Sequence, residues 1–371
     1  MKVLVTGAKG FIGKNLVYAL RNHGYNDIDE FDVDTNPELL TESCKKCDFV
    51  FHLAGVNRPK NVDEFKTGNN GFTEDLLNRL KVNAKKCPVV YASSIQAELS
   101  NPYGQSKKEA EQSILRYADE TGAKTLIYRL PNVFGKWCKP NYNSVIATFC
   151  YNIANDLPIA INDGETAMNL VYIDDLTAEL LGAINGNEHR NREFCFVPMS
   201  YTAKLAVIAD IINGFALCRD DLSVPNHSDD FVRKIYSTYL SYLPKEKFKY
   251  PLDMHRDSRG SFTEFIRTPE RGQLSVNISK PGIIKGNHWH NSKNEKFLVV
   301  SGKGVVRFRM PDSKEVIQIE VSGDKLEVVE IPPGYTHSIE NTGDTDMVTL
   351  MWANEPFDPE NHDTYYLEVQ D

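Results

Sequence analysis

Glycines at positions 7, 10 and 13 follow directly on the apolar run Val3-Leu4-Val5, and the stretch from Lys14 to Asn22 continues as an amphipathic segment. That pattern predicts a short buried strand that breaks into a tight turn and enters a helix. Glycine at each step removes a Cβ where backbone would otherwise meet backbone or a bound pyrophosphate. The free N–H groups of the helix N terminus favour an anion at the same place. Gly7, Gly10 and Gly13, with Phe11 and Ile12 at the helix start, are therefore candidate contacts to a dinucleotide.

The same alternation continues downstream. Ile28 to Val33 reads as a second strand, ending in Asp32 and Asp34, where a carboxylate can accept from the adenosine ribose hydroxyls. Asp48 to Val56 reads as a third, with Ala54 and Gly55 leaving room for a coenzyme at its carboxyl end. Helical segments at 63–70 and 72–83 lead to a strand from Pro88 to Ala92 that runs into Ser93 and Ser94. Strands alternating with helices predict an α/β fold with a parallel, doubly wound sheet.

Beyond that strand, Tyr103 and Lys107 stand four residues apart at the start of a predicted helix, so phenol and ammonium share one face. A nearby cation stabilises phenolate and is expected to lower the tyrosine pKa, which suits proton exchange with a carbonyl or hydroxyl oxygen. Gly7, Gly10, Gly13, Ser94, Tyr103 and Lys107 together resemble the extended short-chain dehydrogenase/reductase family. The resemblance covers about the first 240 residues and implies a Rossmann-type fold and NAD(P)H as coenzyme. It implies that Ser94 shares the substrate oxygen with Tyr103, Ser93 being the alternative serine, while Lys107 also binds the nicotinamide ribose. The nine positions from Ser94 to Tyr103 are fewer than is usual in that family. The segments 128–135 and 136–144 are similar to its loops beside the nicotinamide and a nucleotide-sugar pocket, which makes Asn132, Lys139 and Asn143 candidate substrate contacts. NADPH-dependent relatives usually place a basic residue at the end of the second strand. Asp32, Val33 and Asp34 stand there instead and lean the choice to NADH, with Lys9 or Arg58 as possible partners for a 2′-phosphate.

A different regime starts near Pro244. Short β-rich runs separated by Gly, Pro, Asn and Asp replace the helix-strand alternation, which places an all-β barrel or jelly roll over 244–371 after a first domain of 1–243. Gly282, His288, His290, Glu295 and Gly302 resemble the first cupin motif, and Pro332, Gly334, His337 and Asn341 the second, with Leu326 in place of its leading glycine. Histidines two apart on a strand face one way, and with Glu295 and His337 they make an N/O set suited to Zn, Fe, Mn or Ni, zinc foremost. His255 to Glu264 and Ser275 to His288 also resemble the dTDP-4-keto-sugar 3,5-epimerases. In that family the histidine matching His288 is a base and no metal is used, so His288 has two rival roles. Arg259 and Lys285 are candidates for the substrate diphosphate or for developing negative charge.

Composition narrows the remaining classes. A net charge of −9 argues against a general nucleic-acid binder, and no apolar run reaches the length of a membrane span. Seven scattered cysteines without a disulfide pattern indicate a reducing, cytoplasmic setting, and Cys44 with Cys47 has no second CxxC to complete a zinc site. Over nearly its full length, with the stretches 137–149 and 285–290, the chain is similar to bifunctional capsular-polysaccharide enzymes that join such a reductase to a cupin. That resemblance implies C3 epimerisation of a UDP-linked 4-keto-6-deoxy-2-acetamido sugar and C4 reduction to UDP-2-acetamido-2,6-dideoxy-talose, on the route to UDP-N-acetyl-L-fucosamine, and it implies NADPH as the coenzyme against the lean to NADH. The alternatives are a reductase whose cupin only binds or dimerises, and a coenzyme-sensing regulator. Pairing habits of both families imply a homodimer.

Overall fold

Strand β1 (Val3–Thr6) is buried at every position, as is β3 (Phe49–His52), which marks both as interior strands of a sheet covered on two faces. The order is β2 (Ile28–Phe31), β1, β3, β4 (Val89–Ser94) and β5 (Thr125–Leu130), all parallel. Phe194–Cys195 pairs parallel alongside β5, and Arg190–Asn191 closes the edge antiparallel. The chain turns outward from β1 to β2 and then returns to the other side of β1, so the order reverses between β1 and β3. Ligands in such sheets lie outside the carboxyl ends at that reversal. The computed structural model describes residues 1–83, 86–268, 270–358, 360 and 362–370.

Several elements end differently from the sequence pattern. The second strand stops at Phe31 rather than Val33, because Asp32 bonds the turn: its carboxylate accepts from the backbone of Lys9 at 2.7 Å and of Val33 at 2.9 Å. The segment 63–70 is one turn of α-helix, Asp63–Phe65, followed by the π-helical Lys66–Gly71. Gly68 allows this, since a Cβ there would lie 2.4 Å from Val56 Cγ2.

Cys44, Cys47 and Cys87 are packed in the core beneath β1, β3 and β4 with Leu40, Leu76, Tyr91 and Ile114. The Sγ atoms of Cys47 and Cys87 are 3.4 Å apart as thiols, and all seven cysteines are free. No helix among the described residues is long and apolar enough to cross a membrane.

A small three-stranded sheet follows, with Asn132–Phe134 parallel and Tyr201–Lys204 antiparallel to Ala167–Tyr172, and from Met254 onward the strands pair antiparallel. One sheet runs Met254–Asp257, Gly260–Thr268, Gly272–Ser279, Met347–Ala353, Glu295–Ser301, Val328–Ile331; the other runs Val316–Ser322, Lys303–Arg309, Thr336–Asn341, Ile284–Trp289, Tyr365–Tyr366. Phe297, Val299, Val306, Phe308, Ile331, Ile339 and Met347 fill the space between them, giving a jelly roll. Two compact units result. The first is Met1–Phe215 with His227–Pro244, and the second is Lys245–Asp371 with Ala216–Asn226. The single cut expected at 243/244 thus misses an excursion of the chain, in which the Leu222 carbonyl accepts from the Arg267 N–H at 2.8 Å.

Candidate active sites

In the first unit, the glycine turn closes onto β3. Gly7 has φ of +69°, and a Cβ there would fall 2.7 Å from the Ala54 nitrogen; one on Gly13 would fall 2.1 Å from the Gly7 oxygen. Gly10 N-caps the helix Phe11–Asn22, so the N–H groups of Phe11, Ile12 and Gly13 stand free at the head of a three-turn helix. Gly55 sits over the same crevice, where a Cβ would meet Asn69 Oδ1 at 2.9 Å and Lys107 Nζ at 3.3 Å. This cradle exists only without side chains, and it fits a dinucleotide. Asp32 is held to the turn, and Lys9 Nζ pairs with Asp34 at 2.5 Å. Arg58 lies over the Tyr142 ring at 5.6 Å.

Ser93 and Ser94 point to opposite faces of β4, as a strand requires. Ser93 is buried and donates to Glu111, which also holds Arg129 through two bonds at 3.0 and 2.7 Å. Ser94 caps the short helix Ile95–Glu98, its hydroxyl accepting from Gln96 N at 3.2 Å. The short interval between Ser94 and Tyr103 is bridged by that single turn and by Asn101, which N-caps the helix Pro102–Thr121 through Gly104 N at 2.8 Å. Gly104 makes the bridge possible: a Cβ would lie 2.1 Å from the Gln96 oxygen.

The electrostatics depart from expectation. Burial raises the Tyr103 pKa, and only the neighbouring Ser94 hydroxyl pulls the other way. Lys107 is directed elsewhere: its Nζ donates to the Ala92 carbonyl at 2.8 Å and the Tyr91 hydroxyl at 3.3 Å, and burial pushes it down to about 8. Spacing on a helix sets a common face, but β4 captured the ammonium first. Sequence reasoning also missed Asn69, whose Nδ2 donates to Ser106 Oγ at 2.8 Å and Val56 O at 3.0 Å while Oδ1 accepts from Val56 N at 2.8 Å. Its only signal was the glycines on either side, which mark the π-helical turn. Asn132 is exposed and pairs in register with Leu170, Lys139 is exposed over the Tyr142 ring at 5.1 Å, and Asn143 is exposed just before Ser144, which caps the next helix.

The second unit brings His288, His290, Glu295 and His337 together, their ligand atoms all within 4.8 Å of one another. His288 is directly opposite His337 in the register of two neighbouring strands, while Glu295 comes from the facing sheet. Glu295 Oε2 is 3.4 Å from His337 Nε2 and 3.7 Å from His290 Nε2. Both ring nitrogens of His337 and Nε2 of His290 are buried without a hydrogen-bond partner among the described residues. Orphaned buried nitrogens cost about 1–3 kcal/mol each, and a cation among three imidazoles and a carboxylate would satisfy them. The donor set fits a divalent transition metal, zinc included. Burial, with His337 adding to it, pushes His288 down to about 4 and keeps its ring neutral. Burial would raise Glu295, but the His290 and His337 rings beside it hold it well below the usual carboxylate range.

Three of the four, His288, Glu295 and His337, line a cavity of about 610 Å³ together with His255, Arg259, Asn277, Lys285 and Phe262. Lys285 Nζ donates to Asn277 Oδ1 at 2.6 Å, and burial lowers its pKa. Arg259 is exposed and paired with Asp257 at 2.6 Å.

A family model described as NAD dependent epimerase/dehydratase matches residues 3–193, slightly more than half of the chain. The chain belongs to the NAD dependent epimerase/dehydratase family. Its members use a nicotinamide coenzyme, in keeping with the glycine cradle. This member continues into a segment matching the polysaccharide biosynthesis C-terminal domain over residues 255–365. It is 43% identical to UDP-2-acetamido-2,6-beta-L-arabino-hexul-4-ose reductase of Pseudomonas aeruginosa, over 100% of this chain and 99% of that one. It is similar at 53% identity and a TM-score of 0.94 to the capsular polysaccharide assembling protein CapF of Staphylococcus aureus, each chain being covered in full. A shorter match, 29% identical over 29% of this chain and 79% of the other, is to the spore coat polysaccharide biosynthesis protein SpsL of Bacillus subtilis.

Proposed function

We propose that this chain is a bifunctional nucleotide-sugar enzyme of capsular polysaccharide biosynthesis. The second unit epimerises C3 of a UDP-linked 4-keto-6-deoxy-2-acetamido sugar. The first then reduces C4 to UDP-2-acetamido-2,6-dideoxy-talose, on the route to UDP-N-acetyl-L-fucosamine. The observation that carries the double role is the cluster of His288, His290, Glu295 and His337, three of which wall a cavity shared with Arg259 and Lys285. A barrel used only for binding or dimerisation has no need of orphaned imidazoles beside cations. Full-length similarity to a UDP-hexul-4-ose reductase and to CapF supports the substrate class.

Chemistry fixes the order. A C3 proton is acidic while C4 is a ketone, because the carbanion is then an enolate with its charge on oxygen. Reduction removes that stabilisation. Neutral His288 can take the C3 proton, unless it serves as a ligand, and Lys285 and Arg259 face the developing charge or the diphosphate. A metal held by His290, Glu295 and His337, with or without His288, would supply Lewis acidity toward that oxygen. In the first unit the bound nicotinamide supplies hydride to C4. Tyr103 gives its phenolic proton to the C4 oxygen, Ser94 holds that oxygen, and Lys107 supplies positive charge beside the ribose. Asn132, Lys139 and Asn143 would border the sugar nucleotide.

The full chain, metal-loaded but without coenzyme, is to be incubated with the 4-keto sugar in deuterated water. Deuterium at C3 is expected, and it should vanish in His290→Ala. Folded, metallated protein that exchanges nothing would reduce the cupin to a binding part. The enzyme is expected to be a homodimer, and a monomer mass by light scattering at micromolar concentration would refute that.

A further inference from the structure

His290 is fixed from behind. Its Nδ1 faces the backbone oxygen of Asp363, and a carbonyl can only accept, so Nδ1 carries the hydrogen and Nε2 is left with its lone pair toward Glu295. The Asp363 carboxylate meanwhile accepts from three successive backbone N–H groups, Asn291 at 2.9 Å, Ser292 at 2.7 Å and Lys293 at 3.0 Å. Asn291 Nδ2 and Ser292 Oγ add bonds at 3.1 Å each. Consecutive N–H groups wrapped around one anion form a nest. One residue thus grips the turn that follows His290 with its side chain and the ring itself with its main chain.

The same segment is tied to the other ligand strands. Tyr365 and Tyr366 pair with Trp289 and His288, Leu367 N–H donates to the Asn287 oxygen at 2.9 Å, and Thr336 beside His337 donates to the Leu367 oxygen.

We propose that Asp363 is a positioning residue of the metal centre, setting the turn 291–293 and the tautomer of His290 so that residues 363–367 strap the ligand set into its coordinating arrangement. This rests on reading the His and Glu cluster as a metal site. Displacing a group that orients a ligating imidazole through its second nitrogen typically changes metal affinity 10- to 100-fold; loss of the Asp363 carboxylate leaves its carbonyl in the chain but frees it from the turn that holds it against the ring.

The test is the zinc affinity of the metal-stripped full chain, read by competition with a chromophoric chelator. Asp363→Ala and Asp363→Asn should each weaken zinc about tenfold or more; the asparagine variant keeps the shape but turns an NH₂ toward N–H donors. Arg309→Gln is the control, because Arg309 bonds the Glu368 and Val369 oxygens in the same tail but touches neither the turn nor the ring. It should bind zinc as the wild type does. Wild-type affinity in either folded Asp363 variant overturns the assignment, and so does an equal loss in Arg309→Gln, which would mean general loosening. A wild-type chain that takes up neither zinc nor manganese nor nickel sinks the metal reading and this one with it.

Discussion

Lys107 donates its ammonium to the carbonyl oxygen of Ala92 at 2.8 Å, beneath the strand end that carries Ser94. The position is buried, and burial lowers the lysine from its ordinary value of 10.5 to about 8. Between those values the unfolded chain binds the proton and the folded one does not, so stability contributed by this group rises with pH across that window. Below pH 8 the cost of the buried charge is fully present. Relative to Lys107→Met, the wild type should gain as much as about 3 kcal/mol between pH 7.5 and 10.5. Urea unfolding of both proteins at a series of pH values measures it. Curves that stay parallel would show that the lysine does not titrate in the fold.

The two serines of β4 should separate cleanly. Ser94→Ala and Tyr103→Phe remove groups that meet the C4 oxygen in the proposed reduction, and Tyr103→Phe should lower kcat about a hundredfold or more. Ser93→Ala instead removes a donor from the buried Glu111 carboxylate and should cost about 1–3 kcal/mol of stability with kcat nearly intact. Steady-state kinetics and thermal unfolding of the three variants decide it. A catalytic loss confined to Ser93→Ala would reverse the assignment.

Coenzyme choice turns on the acidic pair after β2. The Lys9 ammonium is engaged by Asp34, and the Asp32 carboxylate stands at the turn where a 2′-phosphate would lie. NADH should therefore have the higher kcat/KM, and Asp34→Ala should raise kcat/KM for NADPH by freeing Lys9. A strong wild-type preference for NADPH would overturn this.

Gly104→Ala should be among the most disruptive small changes in the first unit. Its Cβ would sit 2.1 Å from a backbone oxygen that cannot move without shifting the turn between Ser94 and Tyr103. A loss of about 1–3 kcal/mol is expected, together with a fall in kcat larger than that of Gly214→Ala, where a Cβ meets nothing within 4 Å. Equal behaviour of the two variants would show that the Ser94 to Tyr103 bridge is pliable.

Much of this architecture was legible in the residues because it depends on local chemistry. Gly7 and Gly13 announced the crevice, since close backbone approach excludes other residues, and the alternation of β3 and β4 with helices announced the parallel sheet. His288, His290 and Glu295 were readable because their intervals are narrow, and His337 because its own segment resembles the second cupin motif. What sequence did not carry was which partner a side chain finds across a long separation outside those motifs. Lys107 shares a helix face with Tyr103, yet its bond goes to a strand 15 residues earlier. Asp363 lies 73 residues beyond His290, and no periodicity connects them. Asn69 was hidden because a π-helical turn breaks the period from which helix faces are judged.

The excursion of residues 216–226 into the second unit bears on anyone who would divide the gene. A fragment beginning at codon 245 lacks the Leu222 carbonyl that receives the Arg267 N–H, and the Arg219 side chain that lies 5.3 Å from the Tyr250 ring. The upstream fragment, in turn, keeps those eleven residues without the strands they belong to. Neither product is a whole folding unit, so inactivity in either would report a misplaced cut rather than a missing activity, and the two reactions are better separated by substitution than by scissors.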